Sequence, residues 1–286
     1  MPYNADLTVA VIGASGKTGS RVVRQLTELE IKTRPLSRQT SPAFDWANPQ
    51  AWPQALTGVD SIYITYHPDL ALPQAKDDIA QLITVAKAQG VKHLVLLSGR
   101  GEDGAQQAEK QVIQSGLNWN IVRASWFMQN FSESFMLDGI LNGELVLPHP
   151  QATEPFIDID DIAEIAVAAL TKPELANRLF EVTGPELLSF AQCIELLSLR
   201  LNRPVGLTTI ALEDYIAAAQ QQPDLPEGFD WLIHELFSTV LDGRNEFTTD
   251  TINKVLGRPA TRFEQYLEKT AENGVWRTRQ RESLPC

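Results

Sequence analysis

The amino-acid sequence predicts a doubly wound α/β protein, with a parallel sheet, helices on both faces and a smaller, mostly helical C-terminal lobe. Three observations lead to this prediction. Short apolar runs alternate with helical patterns through the first two thirds of the chain, a glycine-rich turn at residues 13–19 joins the first run to the first helix, and helical patterns predominate from Ser189 onward. Strands that alternate with helices favour a parallel sheet with right-handed crossovers.

The individual elements follow from hydrophobic periodicity. Residues 7–12 form a short apolar run that stops at a glycine, which is typical of a strand buried on both faces. Val22 and Leu26 recur at helical spacing and predict the helix that follows. A later helix at 162–170 has Asp160 as its expected N-cap. The further strand candidates are residues 33–38, 59–65, 91–97, 119–123, 179–182 and 204–210.

The alternation loosens after residue 124, which predicts two lobes that share one sheet. We expect residues 1–125 and 156–183 to form the sheet domain. Residues 126–155 and 184–286 are expected to form the smaller lobe, which contacts a substrate or a partner.

Composition excludes several classes of protein. The 286-residue chain has a net charge of −12 and no basic stripe, so nucleic acid is not expected as a ligand. It has no apolar run of membrane-spanning length, and residues 1–6 lack the features of a secretory signal. Two cysteines, Cys193 and Cys286, do not predict a disulfide framework, and a cytoplasmic location is expected. No metal site is expected, because no i, i+4 pair occurs among His67, His93, His149 and His234.

The most informative motif is the glycine-rich turn, whose glycines follow a strand and open a helix. In that context a G-x-x-G-x-x-G string predicts a Rossmann-type dinucleotide site, where the backbone approaches a pyrophosphate at a helix N-terminus. A P-loop would need a glycine at the position of Val11. A strand–helix turn without a ligand is the other alternative. The expected cofactor-binding residues of the turn are Gly13, Ser15, Gly16, Lys17, Thr18 and Gly19.

The region after the second strand favours NADP(H) over NAD(H). NAD-binding proteins carry an acid about 20 residues past the glycines, which accepts a hydrogen bond from the ribose 2′-hydroxyl. Here that region contains Ser37 and Arg38, and no carboxylate stands there to repel a 2′-phosphate. We expect Arg38 to pair with this phosphate, with Lys17 approaching from the turn. The alternative is that Arg38 is an ordinary solvated loop residue.

Several segments resemble the NmrA-like branch of the atypical short-chain dehydrogenases, and the resemblance covers nearly the whole chain. Further segments are similar to the subgroup that contains fungal ergot-alkaloid reductases of the festuclavine and agroclavine type and their bacterial relatives. The segments that resemble the branch are 11–19, 34–38, 115–119 and 122–131, and those that resemble the subgroup include Phe44-Asp45-Trp46 with Trp52, residues 183–188, and 256–259 with Phe263.

The resemblance implies further cofactor contacts at the carboxyl ends of the strands. Asp45 and Trp46, after the third strand, would border the adenine, although Trp46 as a core aromatic is an equal alternative. Thr65, Tyr66 and His67, after the fourth strand, would border the nicotinamide. The physical argument agrees, since ligands of open α/β sheets bind beyond the carboxyl ends of strands.

The family's catalytic dyad is missing from this sequence. Short-chain dehydrogenases usually protonate a carbonyl oxygen with a tyrosine that is assisted by a lysine four residues later. Alignment on Glu109 puts Gly101 and Ala105 at those two positions. Ser98 matches the family's serine but cannot act alone as a proton source near neutral pH. Ser98, Tyr66 and His67 are the remaining catalytic candidates.

The missing dyad predicts turnover only of electrophiles that accept hydride without concerted protonation. The expected function is therefore NADP(H)-dependent hydride transfer to an activated C=N or C=C bond of a small cyclic or aromatic substrate, next to Trp126 and Phe127. Core packing of these two aromatics is an equally good interpretation. The alternative function is a non-catalytic regulator of the NmrA type, which senses NADP(H) and acts through a protein partner. The sequence does not determine the oligomeric state.

Overall fold

The computed structural model describes residues 7–148, 152–221 and 228–277. Its centre is a six-stranded parallel sheet in the order β2-β1-β3-β4-β5-β8. The strands of the chain are β1 (Thr8–Ile12), β2 (Lys32–Leu36), β3 (Ser61–Ile64), β4 (His93–Gly99), β5 (Asn118–Ala124), β6 (Glu144–Leu147), β7 (Thr153–Glu154), β8 (Arg178–Val182), β9 (Leu188–Ser189) and β10 (Gly206–Thr209).

Helices cover both faces of the sheet, which confirms the predicted doubly wound, Rossmann-type architecture. The helices are α1 (Lys17–Glu28), α2 (Trp52–Leu56), α3 (Ala75–Ala88), α4 (Asp103–Ile113), α5 (Leu137–Asn142), α6 (Ile159–Thr171), α7 (Phe190–Leu201), α8 (Leu212–Ala219), α9 (Phe229–His234), α10 (Thr251–Leu256) and α11 (Phe263–Glu272), and a π-helical turn (Glu235–Val240) continues α9. None of the described helices is both long and apolar enough to cross a membrane.

The side chains of β1 show why the strand pattern is continuous rather than alternating. All five residues are buried. Ala10 and Ile12 pack with α3 and α4 on one face, and Val9 and Val11 pack with α1 and α6 on the other. Successive side chains of a strand point to opposite faces, so a strand between two helical layers needs apolar residues at every position.

A third apolar cluster lies in the C-terminal part of the chain and is mainly aromatic. Its central rings, Phe131, Phe156, Phe190 and Phe263, contact one another edge-on or tilted. The indole N–H of Trp276 donates to the backbone oxygen of Phe131 at 2.8 Å and fixes the end of the described chain to this cluster. The helical C-terminal lobe predicted from the sequence is confirmed, and its exact boundaries stay a prediction.

One predicted helix cap was wrong. Asp158, not Asp160, is the N-cap of α6, and its carboxylate accepts from the amide of Asp160 at 2.9 Å. Asp160 instead accepts from the Arg21 guanidinium at 2.9 Å and pairs with Lys269. Asp160 belongs to the first turn of α6, so its side chain is free to reach these two cations.

The strand order predicts a ligand-binding crevice at the carboxyl ends of β1 and β3. From β1 the chain runs to β2 on one side, and β3 then lies on the other side of β1. Ligands of open α/β sheets bind at such a switch point, beyond the carboxyl ends of the strands. Here those ends carry Gly13 after β1 and Thr65 after β3.

Candidate functional site

The glycine-rich turn crosses the switch point and is packed too closely to hold side chains at two positions. Gly13 has a φ of +77°, and a Cβ there would lie 2.0 Å from Oγ1 of Thr65. A Cβ on Gly19 would lie 2.2 Å from the backbone oxygen of Gly13. Gly16 differs, since a Cβ there would meet only that same oxygen, at 3.1 Å. Gly13 and Gly19 therefore shape the turn, whereas Gly16 leaves open the space above it.

The turn presents backbone donors to that space. Gly16 is the N-cap of α1, and the amides of Ser15, Lys17 and Thr18 have no acceptor among the described residues. Unpaired N–H groups and the partial positive charge of a helix N-terminus form an anion site. The Lys17 ammonium lines the adjoining cleft, also without a hydrogen-bond partner among the described residues. Burial lowers the pKa of Lys17, and Glu133 partly opposes this effect.

Ser37 and Arg38 follow β2 at the edge of the same crevice. The Ser37 hydroxyl accepts from the amide of Gln39 at 3.2 Å and holds the loop in a tight turn. Arg38 is exposed, and no hydrogen bond or ion pair within the described part of the chain engages its guanidinium. A cation in this position is available to an added anion.

The prediction that Asp45 and Trp46 follow the third strand was wrong. Both follow β2, and Thr65 follows β3, because residues 37–60 pack aromatic side chains into the core and form no strand. The Trp46 ring packs 4.7 Å from that of Tyr66, and its N–H donates to the Thr65 backbone oxygen at 3.2 Å. These contacts attach the loop after β2 to the end of β3.

The two other residues after β3 differ in their placement. The Tyr66 hydroxyl donates to the Asp78 carboxylate at 2.5 Å, and burial together with Asp78 raises the pKa of Tyr66. Its proton is therefore already held by a carboxylate. His67 is exposed and does not line the cleft, whereas Pro68 beside it does.

A cleft of about 410 Å³ extends from the turn toward the C-terminal part of the chain. This volume suits a small molecule. Trp126 and Phe127 both line it, and Trp126 is fixed by edge-on contacts with Phe190 and Phe237, each at 5.5 Å between ring centroids. Further apolar lining comes from Tyr215, Leu232, Ile233 and Leu236 of α8, α9 and the π-helical turn.

Ser98 lies at the end of β4 within a buried ionic network. Its hydroxyl donates to the Glu109 carboxylate at 2.6 Å. The same carboxylate forms a bidentate pair with Arg123, which in turn faces Glu181 at 3.6 Å. Ser98 lines the cleft, but its proton is directed to Glu109 rather than to a ligand.

The positions that correspond to the missing tyrosine and lysine are closed in the structure. Gly101 has a φ of +80°, and a Cβ there would lie 2.5 Å from the side-chain nitrogen of Asn245. Ala105 is fully buried in the core below β4. The place of the family's tyrosine is thus closed by a side chain that arrives 144 positions later in the sequence.

Two carboxyl groups that the sequence analysis did not identify line the cleft. Glu102 is 8% exposed, and its carboxylate occupies the space beside Gly99, where a Cβ would lie 2.0 Å from Oε2. No hydrogen bond reaches this carboxylate from the described residues. Asp69, from the loop after β3, accepts from the Ala71 amide at 2.8 Å. Burial raises the pKa of both groups, and it raises that of Glu102 well above its usual value, helped by repulsion from Asp69 and Glu235.

A larger, more open groove of about 930 Å³ lies between α1 and α6, away from the carboxyl ends of the strands. Several of its charged groups pair with one another, as in the contacts of Arg24 with Asp160 at 3.3 Å and of Arg258 with Asp161 at 2.7 Å. Because the groove lies away from the strand ends at which ligands of open α/β sheets bind, we place the site in the cleft.

A buried acid in β7 makes the free energy of unfolding depend on pH. Burial raises the pKa of Glu154 from its usual 4.5 to about 8. Between these values the folded state keeps a proton that the unfolded state has lost, so stability falls as pH rises through this window. Glu154→Gln should therefore raise the free energy of unfolding at pH 8 by about 2 kcal/mol and flatten its pH dependence. Denaturant unfolding at several pH values measures this, with the exposed Glu174→Gln as control. The expectation would be contradicted if the free energy of unfolding of Glu154→Gln varied with pH as steeply as that of the wild type.

Comparison with known proteins identifies the class. The chain is 33% identical to an NAD(P)H azoreductase from Xenophilus azovorans over 92% of its own length and 98% of the relative's. It is 28% identical to a festuclavine dehydrogenase from Aspergillus fumigatus, covering 94% and 99% of the two chains. An NADPH-dependent quinone oxidoreductase from Escherichia coli, solved in complex with NADPH, has a similar fold with a TM-score of 0.73 and 19% identity, covering 91% and 99%.

The profile of the NmrA-like family matches residues 5–269. The predicted family, subgroup and nicotinamide dinucleotide cofactor are thereby confirmed, as is the coarse function of an NAD(P)-binding oxidoreductase. The chain belongs to the NmrA-like family.

Proposed function

We propose that this protein is an NADPH-dependent reductase that transfers hydride to an activated, conjugated double bond, C=N or C=C, of a small cyclic or aromatic substrate. The observation that carries the proposal is the continuity of the phosphate-binding turn with an aromatic-lined cleft at the switch point of the sheet. In this arrangement the two reactants, the cofactor and the acceptor, meet beside β3 and β4.

The residues present fit a dinucleotide with a 2′-phosphate. In the proposed arrangement the amides of Ser15, Lys17 and Thr18 hold the pyrophosphate, which Gly16 allows to approach closely. Arg38 holds the 2′-phosphate, with Ser37 and Lys17 beside it. Asp45 and Trp46 border the adenine, and Thr65 and Tyr66 border the nicotinamide. The bound cofactor supplies the hydride, and the protein supplies orientation and a desolvated site.

The C-terminal lobe closes the substrate side. Trp126 and Phe127 present flat apolar surfaces, and α8, α9 and the π-helical turn cover the cleft opposite the sheet. Exclusion of water strengthens electrostatic interactions and protects the hydride from side reactions. In this proposal residues 126–155 and 184–286 form the substrate lobe, and the remaining residues bind the cofactor.

The names of the relatives support reduction of conjugated acceptors. One is called an NAD(P)H azoreductase, another a festuclavine dehydrogenase, and the structural neighbour a quinone oxidoreductase. The cleft is lined by aromatic rings and by the side chains of Ser98 and Tyr66, whose protons are held by carboxylates. It is thus better suited to flat, electrophilic molecules than to flexible alcohols or simple ketones.

The proposal is tested by following NADPH oxidation against cyclic iminium ions, quinones, triarylmethane cations and azo compounds, with simple ketones as controls. We expect at least one conjugated class to be reduced much faster than the ketones. Tight NADPH binding without turnover of any acceptor would overturn the proposal and favour a regulator that senses the cofactor. Fast ketone reduction would also contradict it.

Ser98 is expected to contribute little to turnover. Because its proton is donated to Glu109, which Arg123 also holds, the loss of the hydroxyl leaves that carboxylate paired and removes no hydrogen bond to the substrate. Ser98→Ala should cost ~0.5–1.5 kcal/mol in transition-state stabilisation, measured as the change in kcat/KM. A loss of several orders of magnitude would show instead that Ser98 acts directly on the substrate.

A further inference from the structure

The cleft contains a buried carboxyl group to which the proposed cofactor arrangement assigns no role. The Glu102 carboxyl has no hydrogen-bond partner among the described residues, although the side chain is more than nine-tenths buried. Nη2 of Arg100 and Oγ of Ser125 also lack partners, but both atoms are buried beneath the surface of the cleft, and the Arg100 guanidinium is held by Glu181 and the Asn245 backbone oxygen. Buried polar groups are paired in nearly all native structures, so an unpartnered carboxyl that lines a cleft indicates that a ligand completes it.

The protonation state of the Glu102 carboxyl decides what it can do in the cleft. A protonated carboxyl is a hydrogen-bond donor. A donor beside a bound acceptor stabilises a heteroatom on which negative charge develops. Such charge develops when a neutral acceptor, such as a quinone or an azo compound, receives a hydride, whereas a cationic acceptor only loses its charge.

The surroundings of Glu102 favour its protonated form. Burial raises its pKa well above its usual value, and the negative charges of Asp69 from the loop after β3, Glu235 from the π-helical turn and Glu109 from α4 act in the same direction. Lys17 lines the same cleft, and Arg100 is two residues away, but Arg100 already donates to Glu181 at 2.8 Å. Glu102 follows directly on Gly101, so this carboxyl lies one residue from the position where the family carries its tyrosine.

We propose that Glu102 is the proton donor of this reductase and that its acceptors include neutral conjugated molecules with a ring or bridging heteroatom. This inference rests on the proposed function. The acceptor receives a hydride from the reduced nicotinamide dinucleotide at one end of its conjugated system, and its π electron pair moves to the heteroatom. The O–H bond of Glu102 breaks and the proton joins that heteroatom. A proton from solvent restores the carboxyl, and the products are the oxidised dinucleotide and the reduced acceptor.

Glu102→Gln keeps the size of the side chain and removes the transferable proton. With a quinone or an azo compound, we expect kcat of this variant to fall by about 100-fold or more, the usual contribution of a general acid. With a triarylmethane cation, which needs hydride alone, the rate should stay within about threefold of the wild type. Asp103→Asn is the matched control, because it removes one carboxylate from the exposed neighbouring position, and it should change neither rate.

A second readout does not depend on turnover. Infrared spectra near neutral pH should contain the C=O stretching band of a protonated carboxyl that is absent from Glu102→Gln and retained in Asp103→Asn. Absence of that difference overturns the proposal, as does an equal loss of rate with neutral and cationic acceptors, or no loss with either. If the wild type reduces neither class of acceptor, the proposed function fails together with this one.

Discussion

Replacement of Arg38 by alanine is expected to abolish most of the preference for NADPH over NADH. The guanidinium is exposed, has no partner among the described residues and lies after β2 at the edge of the crevice. A hydrogen bond to a charged group contributes about 1.5–3 kcal/mol, so the Kd for NADPH should rise by about 10- to 100-fold while that for NADH changes little. Calorimetric titration with both dinucleotides measures this difference.

A matched control separates recognition from general electrostatics. Lys32→Ala removes the same charge at the opposite end of β2, where the side chain is exposed. It should leave both dissociation constants nearly unchanged. Equal affinity of the wild type for NADPH and NADH, or an equal effect of the two variants, would show that Arg38 does not read the 2′-phosphate.

Gly16→Val should abolish dinucleotide binding while the protein stays folded. Gly16 has φ −80° and ψ 174°, an extended conformation that valine adopts readily, and a Cβ there meets only the Gly13 oxygen at 3.1 Å. The added methyl groups would project over the turn, where the pyrophosphate approaches the backbone. We expect affinity for NADPH to fall by at least about 100-fold, equivalent to about 2.8 kcal/mol. The melting temperature and circular dichroism report on the fold.

The chain offers a control for the glycine as well. Gly206 in β10 has no positive φ, and a Cβ there would have no neighbour closer than 3.7 Å. Gly206→Val should therefore keep wild-type affinity. Retained binding in Gly16→Val would place the dinucleotide elsewhere, whereas Gly13→Val and Gly19→Val are unsuitable tests because their clashes with the turn would disturb the fold.

The sequence was most informative where structure depends on neighbouring residues. The burial of β1 on both faces, the glycine turn and the start of α1 all follow from short-range pattern and backbone sterics, which a single sequence displays directly. The sheet and its crevice then follow from the regular alternation of strands and helices. Asp160 was misassigned because Asp158 and Asp160 are equally good caps by composition, and only the backbone geometry distinguishes them.

Glu102 could not be found from the sequence for a different physical reason. A glutamate just before a helix is ordinarily a solvated residue, and nothing near it in the chain indicates burial. The Glu102 carboxyl is buried because β4 meets elements that follow residue 211 in the sequence. Leu236 lines the same cleft, and Glu235 acts on the carboxyl with its negative charge. The closure of the tyrosine position by Asn245 has the same origin. Long-range packing of this kind is invisible to periodicity.

The most direct test of the central claim is a single-turnover reaction with NADPH that carries deuterium at the transferable position of nicotinamide C4. If the cleft joins cofactor and acceptor as proposed, mass spectrometry recovers the deuterium at a carbon of the reduced iminium or triarylmethane product, where it does not exchange with solvent. Gly16→Val should yield no labelled product under the same conditions. Tight binding of the deuterated cofactor with no transfer of label to any such acceptor would contradict the account.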